Sequence, residues 1–194
     1  MRVSTVSRKT NETDINVYIN LDGEGKRNID TEVPFLDHML DLMAKHGFLD
    51  LDVKCKGDVH IDAHHTVEDI GIVIGEAFLN ALGDKCGIVR YATVFTPMDE
   101  ALSQISLDVS GRPFLCFNVD YTAEKVGTFD VELCEEFFRA FAYNAKVTLH
   151  ANLQYGKNNH HIIESLFKGL GRAIAKSCEK KDSIKGVLST KGVL

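Results

Sequence analysis

Two stretches of this chain are near copies of each other, and they restrict the possible fold more than any other feature. His64-His65-Thr66-Val67-Glu68 and His160-His161-Ile162-Ile163-Glu164 share a His-His-x-x-Glu pattern 96 positions apart in a chain of 194 residues. At that offset His64 falls on His160, His65 on His161, Glu68 on Glu164, Gly75 on Gly171 and Ala77 on Ala173. With a two-residue difference in an intervening loop, His38 falls on Glu136 and His46 on Asn144. The chain is therefore expected to be a duplication of whole units rather than one fold carrying a repeated motif.

Each unit reads as three strands, a helix, a strand and a helix. In the first half, Arg2 to Arg8, Asp14 to Leu21, Asn28 to Glu32 and Leu49 to Cys55 are the strand segments, most of them alternating apolar and polar residues. Leu36, Met39, Leu40 and Met43 recur at helical intervals up to His46, and Gly47 is placed to stop that helix. A second helix begins at the first His-His pair and ends near Gly83. Its interior Gly71 and Gly75 would each cost about 1 kcal/mol of helix propensity, which predicts close approach to a neighbouring backbone. The second half has strands at Ile88 to Phe95, Leu102 to Val109, Phe114 to Tyr121 and Val147 to Leu153. Its helices run through Val131 to Phe141 and from the second His-His pair through Ile174. The expected fold class is α+β, with two sheets related by a pseudo-twofold and helices packed on one face of each. The repeats are assigned to residues 1–86 and 87–194, sharing a core because no linker-like stretch divides them.

Composition removes several classes of function. With 44% hydrophobic and 26% charged residues the chain can bury a core, and it contains no apolar run near the ~20 residues of a membrane helix. Its first residues start an alternating strand pattern rather than a signal peptide, so a cytoplasmic location is expected. Five scattered cysteines without a Cys-x-x-Cys pair suggest neither a disulfide framework nor a thiolate zinc site. A net charge of -6 without a basic stripe argues against a nucleic-acid partner.

The repeated motif suits metal binding. Successive helical residues point about 100° apart, so His64 and His65 are poorly placed to chelate one ion, whereas His64 with Glu68, or His160 with Glu164, can. Adding the other half's second histidine and the matching upstream residue gives two sets. One is His38, His65, His160 and Glu164; the other is His64, Glu68, Glu136 and His161. Nitrogen and oxygen donors without sulfur suit manganese, iron or zinc better than magnesium or calcium, and manganese is the expected ion. One helical His–Glu pair is more often a surface hydrogen bond, but two copies at matching positions favour ligands. His60 and His150 stand outside the repeat and are read as ordinary histidines.

Taken together, these residues resemble the imidazoleglycerol-phosphate dehydratase family over essentially the whole length. The matching pieces are Arg8-x-Thr10-x-Glu12-Thr13, Phe35-Leu36-Asp37-His38-Met39-Leu40-Asp41, His46-Gly47 and Asp62-x-His64-His65-Thr66-Val67-Glu68-Asp69. They continue with Pro97-Met98-Asp99-Glu100, Ser110-Gly111-Arg112-Pro113, His160-His161-x-x-Glu164 and Ser189-Thr190-Lys191-Gly192-Val193-Leu194.

The resemblance implies duplicated units like the second domain of ribosomal protein S5. It also implies a homo-oligomer of 24 subunits with active sites at interfaces and two manganese ions per active site. The implied reaction dehydrates D-erythro-imidazole glycerol phosphate to imidazole acetol phosphate in L-histidine biosynthesis, through an imidazolate and a diazafulvene-like intermediate stabilised by the metals. By the same resemblance Glu12 is the acid/base carboxylate, His46 and Asp99 are catalytic, and Glu12 and His46 also bind substrate. Arg90, Arg112, Lys168, Ser189, Thr190 and Lys191 are expected to hold the phosphate, the tail becoming ordered around ligand.

Two positions depart from the family's pattern. Glu136 stands where many members carry histidine, and Leu42 where many carry glutamine. Competing readings of the residues are a dinuclear phosphate-ester hydrolase, which usually spreads its ligands over strand-end loops with several Asp residues rather than over two related helices, and a metal-storage or scaffold protein, which would not require Glu12, Arg112 and the Ser189 to Lys191 tail.

Overall fold

The computed structural model describes residues 1–194 and contains two four-stranded sheets and four long helices. In the first half, β1 (Val3–Lys9), β2 (Thr13–Asn20), β3 (Arg27–Asp30) and β4 (Asp50–Gly57) form a sheet in the order β1-β2-β4-β3. The β1/β2 and β2/β4 pairs are antiparallel and β3/β4 is parallel. In the second half, β5 (Tyr91–Met98), β6 (Ala101–Asp108), β7 (Phe114–Asn118) and β10 (Thr148–Tyr155) form a sheet in the order β5-β6-β10-β7. Its pairings repeat those of the first, with β7/β10 parallel and the others antiparallel. The duplication expected from the overlay is thus present strand for strand. A small ribbon, β8 (Lys125–Val126) with β9 (Phe129–Asp130), has no counterpart in the first sheet.

The helices are α1 (Pro34–Gly47), α2 (His64–Leu82), α3 (Glu132–Asn144) and α4 (Asn159–Ser177). Helix α2 covers β1 and β2 while α4 covers β5 and β6, so each sheet has one helical face. The strands show why: Ile15, Val17 and Ile19 on β2, and Ala101, Ile105 and Leu107 on β6, are buried and alternate with more exposed residues. No helix is long and apolar enough to cross a membrane.

Helices from different halves pack on each other, α1 against α4 and α2 against α3. One cluster of 48 buried residues, drawn from both halves, fills the space between the sheets. Glycine permits these crossings. A Cβ on Gly75 would lie 2.8 Å from the Phe141 carbonyl oxygen, and one on Gly71 2.8 Å from the Ala140 Cβ. At the other crossing a Cβ on Gly171 would strike the Met43 carbonyl, and one on Gly47 would lie 2.9 Å from the Gly171 carbonyl oxygen. The predicted reason for the interior glycines of α2 therefore holds, and α4 repeats it.

Two boundaries differ from expectation. Gly47 does not stop α1 through a left-handed conformation; it is the last residue of the helix, where α4 leaves no room for a side chain, and Phe48 takes the left-handed position with φ 54°. The strand expected from Ile88 begins only at Tyr91, since Arg90 has φ 80° and Ile88 makes a single bridge to Lys180.

Candidate metal centre and active site

Turn residues start both His-His helices in matching ways. The Asp62 carboxylate accepts from the His64 N–H at 2.8 Å, and Asn158 Oδ1 accepts from the N–H groups of His160 at 2.9 Å and His161 at 3.4 Å. On α1, Pro34 occupies the first turn and Asp37 accepts from the backbone N–H of Thr31 at 2.9 Å and from its hydroxyl at 2.5 Å. The starting points of α1 and α4 are thereby fixed, and their crossing brings His38 to His160.

His38, His160 and Glu164 form a three-ligand cluster, each offering one donor atom within 4.8 Å of the others. Glu164 Oε2 lies 3.2 Å from His160 Nε2 and 3.6 Å from His38 Nε2. Phe35 packs edge-on against His160 with ring centroids 5.3 Å apart, restraining the imidazole. Burial opposes ionisation of Glu164, but the Lys168 ammonium 2.5 Å away, with His160 and His38, outweighs it and holds the carboxyl below its ordinary value. A metal cation would thus meet an ionised carboxylate.

Along α4, His160, Glu164, Lys168 and Arg172 recur every fourth residue and so share one stripe. His38 and His46 recur in the same sense on the facing α1. Burial, then the charges of Lys168 and Arg172, push the His46 imidazole below its ordinary value, which favours the neutral ring at neutral pH. His46 and Arg172 also line an open recess of about 550 Å³ with Phe48, Phe95 and Lys176.

The matching seam of α2 and α3 is less complete. His64 Nε2 and Glu68 Oε2 lie 3.9 Å apart, but Glu136 is turned into a two-bond contact with Arg139 at 2.6 and 2.8 Å. No three-ligand cluster forms there.

The other two histidines of the repeated motif point elsewhere. His65 lies outside the His38 cluster; its Nδ1 is 2.9 Å from Asp58 Oδ2 and its Nε2 3.9 Å from Glu12 Oε1. His161 has its Nδ1 2.7 Å from Glu100 Oε2 and its Nε2 3.7 Å from Asp99 Oδ2. Glu12 and Asp99 thus occupy matching hairpin turns, β1–β2 and β5–β6, each beside the outward nitrogen of one histidine. The Glu12 turn is tied to α2 through buried Asp69, which accepts from Thr13 Oγ1 at 2.5 Å and from Arg8 at 3.0 Å. Within one chain neither expected four-ligand set is assembled. Asp58 and Glu100 were not among the expected site residues; Glu100 adjoins Asp99 in sequence, whereas Asp58 carried no signal beyond ending a strand.

The expected phosphate residues fall into two places. Lys168 is on the α4 stripe. Arg90 pairs with Asp108 at 2.8 and 3.1 Å and donates to the Leu188 carbonyl at 2.8 Å, lining with Ser189 and Thr190 a recess of about 460 Å³. The Lys191 N–H donates to Ser189 Oγ at 3.2 Å. Arg112 donates to the Ser110 carbonyl at 3.2 Å, beside Gly111, which Leu194 touches.

Comparison with known proteins decides the family. The family model described as imidazoleglycerol-phosphate dehydratase matches residues 31–174, spanning α1 and most of α4. The chain belongs to the imidazoleglycerol-phosphate dehydratase family. It is accordingly a carbon–oxygen lyase of histidine biosynthesis. The imidazoleglycerol-phosphate dehydratase of Clostridium novyi (strain NT) is 60% identical over 187 residues, covering 96% of this chain and 95% of that protein. That of Oceanobacillus iheyensis is 59% identical over 194 residues and the full length of both. The crystal structure of imidazoleglycerol-phosphate dehydratase from Staphylococcus aureus superposes with a TM-score of 0.84 at 44% identity, covering 92% of this chain and 99% of that one. The Pyrococcus furiosus family member, solved in complex with (S)-C348, gives a TM-score of 0.85 at 37% identity, covering 97% and 100%.

Proposed function

We propose that this chain dehydrates D-erythro-imidazole glycerol phosphate to imidazole acetol phosphate, using two manganese ions per active site. The observation that carries the reading is the cluster of His38, His160 and Glu164 with Lys168 one helical turn beyond it. Two imidazole nitrogens and an ionised carboxylate, without sulfur, fit manganese, and the donors converge without rearrangement of the backbone. His65 would complete this set, and His64, Glu68, Glu136 and His161 would form the other. When bound, manganese would act as a Lewis acid toward the nitrogens of the substrate's imidazole ring.

The outward-turned histidines support a further part of the reading. Since His65 and His161 face away from the ligands they are matched with, each set is completed by a neighbouring copy, in an assembly of 24 subunits with active sites at the interfaces. A cytoplasmic location belongs to the same proposal.

In the reaction a hydrogen leaves one carbon as a proton and hydroxide leaves its neighbour; the enol so formed tautomerises to the ketone. Glu12 takes and returns the proton, from a turn held against α2 by the Thr13–Asp69–Arg8 contacts. His46, favoured as the neutral ring, donates or accepts a hydrogen bond at a substrate hydroxyl, and Asp99 serves the leaving hydroxyl from the equivalent turn. Arg90, Arg112, Lys168, Ser189, Thr190 and Lys191 hold the phosphate. Holding the phosphate fixes the reacting carbons, converting binding into orientation.

The test is to load the purified chain with manganese and assay for the ketone product. Turnover with imidazole glycerol phosphate is expected, and its absence would reject the reading. Glu12→Gln should abolish turnover while leaving bound manganese and assembly size unchanged; surviving activity would remove Glu12 from the acid/base role.

A further inference from the structure

Two carboxylates outside the expected ligand sets face the two histidines that turn away from the helix seams. Asp58 Oδ2 lies 2.9 Å from His65 Nδ1, and Glu100 Oε2 lies 2.7 Å from His161 Nδ1. An ionised carboxylate only accepts hydrogen bonds, so Nδ1 of each ring carries the hydrogen and Nε2 keeps its lone pair. The other two histidines of the motif are used differently: His64 and His160 present Nε2 to Glu68 and Glu164 on their own helices.

The two carboxylates are held in different ways. The second oxygen of Glu100 accepts from the backbone N–H groups of Asn158 at 2.7 Å and Lys157 at 3.2 Å, which anchors it to the loop that starts α4. The Asp58 side chain is confined by burial, being 14% exposed on a backbone whose N–H donates to the Glu12 carbonyl at 3.1 Å, while its Oδ1 has no hydrogen-bond partner and Oδ2 meets only His65. The two groups also come from non-equivalent places. Asp58 follows β4 in the first half, whereas Glu100 lies in the β5–β6 turn, whose counterpart in the first half carries Glu12. Duplication therefore did not copy one hydrogen bond into both halves. Each half reaches the same arrangement by its own route, which points to a requirement at the histidine.

We propose that Asp58 and Glu100 are positioning residues that fix His65 and His161 in one ring orientation and one tautomer, presenting Nε2 of each to a divalent cation. The proposal rests on the metal reading given above. It explains how a histidine that finds no co-ligands within its own chain is nevertheless preset as a ligand: the carboxylate orients the ring before the cation or a neighbouring copy arrives.

Isosteric amides test this directly. In Glu100→Gln the amide oxygen stays with the two backbone donors, so the NH2 group faces His161 Nδ1 and drives the ring hydrogen to Nε2, blocking that nitrogen. Asp58→Asn replaces the ionised acceptor of His65 by a neutral amide whose orientation no second donor fixes, so the ring loses its preference for one tautomer. The full-length chain, stripped of metal, is titrated with Mn2+ at pH 8 while free ion is followed by its electron paramagnetic resonance. Two sites per chain are expected in the wild type. Glu100→Gln should weaken one of them by about 10–100-fold and leave the other unchanged, and Asp58→Asn should do the reverse. Wild-type protein that binds no Mn2+ would overturn the metal reading itself. Two wild-type sites that both variants retain within about threefold would overturn the positioning role alone. Equal weakening of both sites by each variant, with a lowered unfolding temperature, would also overturn it, because it would report general loosening. The variants lie in different halves, so either one that folds decides the matter.

Discussion

The α1–α4 and α2–α3 seams descend from one pattern but have acquired different chemistry. On α4 the stripe reads His160, Glu164, Lys168, Arg172; on α2 the matching positions read His64, Glu68, Ile72, Glu76. The facing stripes are His38, Leu42, His46 on α1 and Glu136, Ala140, Asn144 on α3. The first seam thus runs from three convergent ligands into a cationic track suited to an anion. The second runs from His64 and Glu68 into a lining of Ile72, Glu76, Ala140 and Asn144 without a cation, and its third candidate, Glu136, is occupied by Arg139. Duplication supplied two like helix seams, and only the α1–α4 seam carries the cationic extension. Close glycine-mediated crossings are common to both, so the scaffold was kept while the lining changed.

Exchanging linings should break this difference most strongly. Lys168→Ile, which gives α4 the residue that α2 carries at 72, should lower kcat/KM by about 30–1,000-fold through loss of a charge-assisted phosphate contact. Ile72→Lys should change it by less than about threefold. Steady-state kinetics of the pair checks this, and equal losses would show the seams to be alike in substrate binding.

The second expected effect sharpens the contrast in metal affinity. Removing the competing cation with Arg139→Ala should free Glu136 and tighten the weaker Mn2+ site by about tenfold, the equivalent of about 1.4 kcal/mol. Calorimetric titration would measure it. The shared scaffold predicts equal behaviour instead: Gly75→Ala and Gly171→Ala should each cost about 1–3 kcal/mol by overpacking a crossing, lowering the unfolding temperature by about 2–10 °C.

The smallest effect concerns pH in the metal-free chain. The Glu100 carboxyl is held down to about 2 from 4.5, chiefly by His161, so its contribution is present above 4.5 and is lost as pH falls toward 2. The His161 imidazole is raised above 6.5, chiefly by Glu100, so its contribution is full below 6.5 and is lost as pH rises through the raised value. Glu100→Gln should therefore lower the unfolding temperature by about 1–3 °C between pH 4.5 and 6.5, with the difference shrinking outside that window. A difference that persists unchanged at pH 9 would contradict it.

Much of the architecture was legible because each element carries its own period. Alternation marked β2, β4 and β6, and helical spacing marked all four long helices. Gly71 and Gly75 also announced the close approach of α2 to a neighbouring backbone. The failures have physical causes. Gly47 was read as a terminator because a glycine after a helix serves that role locally; only the distant backbone of Gly171 shows that it is there for space. Arg90 was read inside a strand although its backbone is left-handed, a conformation with no marker in an arginine.

At the site, spacing disclosed which residues share a helix face but not where a loop delivers a partner. His160 with Glu164 was readable as a pair, and His38 joined them through the overlay. Asp58 meets His65 only because β4 ends where it does. The orientation of Glu136 was within reach, since Arg139 lies three residues along the same helix, but ligand matching alone did not consider that competitor.

We propose that the two seams form two unequal metal half-sites. Mn2+ titration of the metal-free wild type, His160→Ala and His64→Ala measures it most directly. The expected result is a tighter and a weaker class of site in the wild type, with His160→Ala abolishing the tighter and His64→Ala the weaker. A single class of equal sites, or the same residual binding in both variants, would contradict the account.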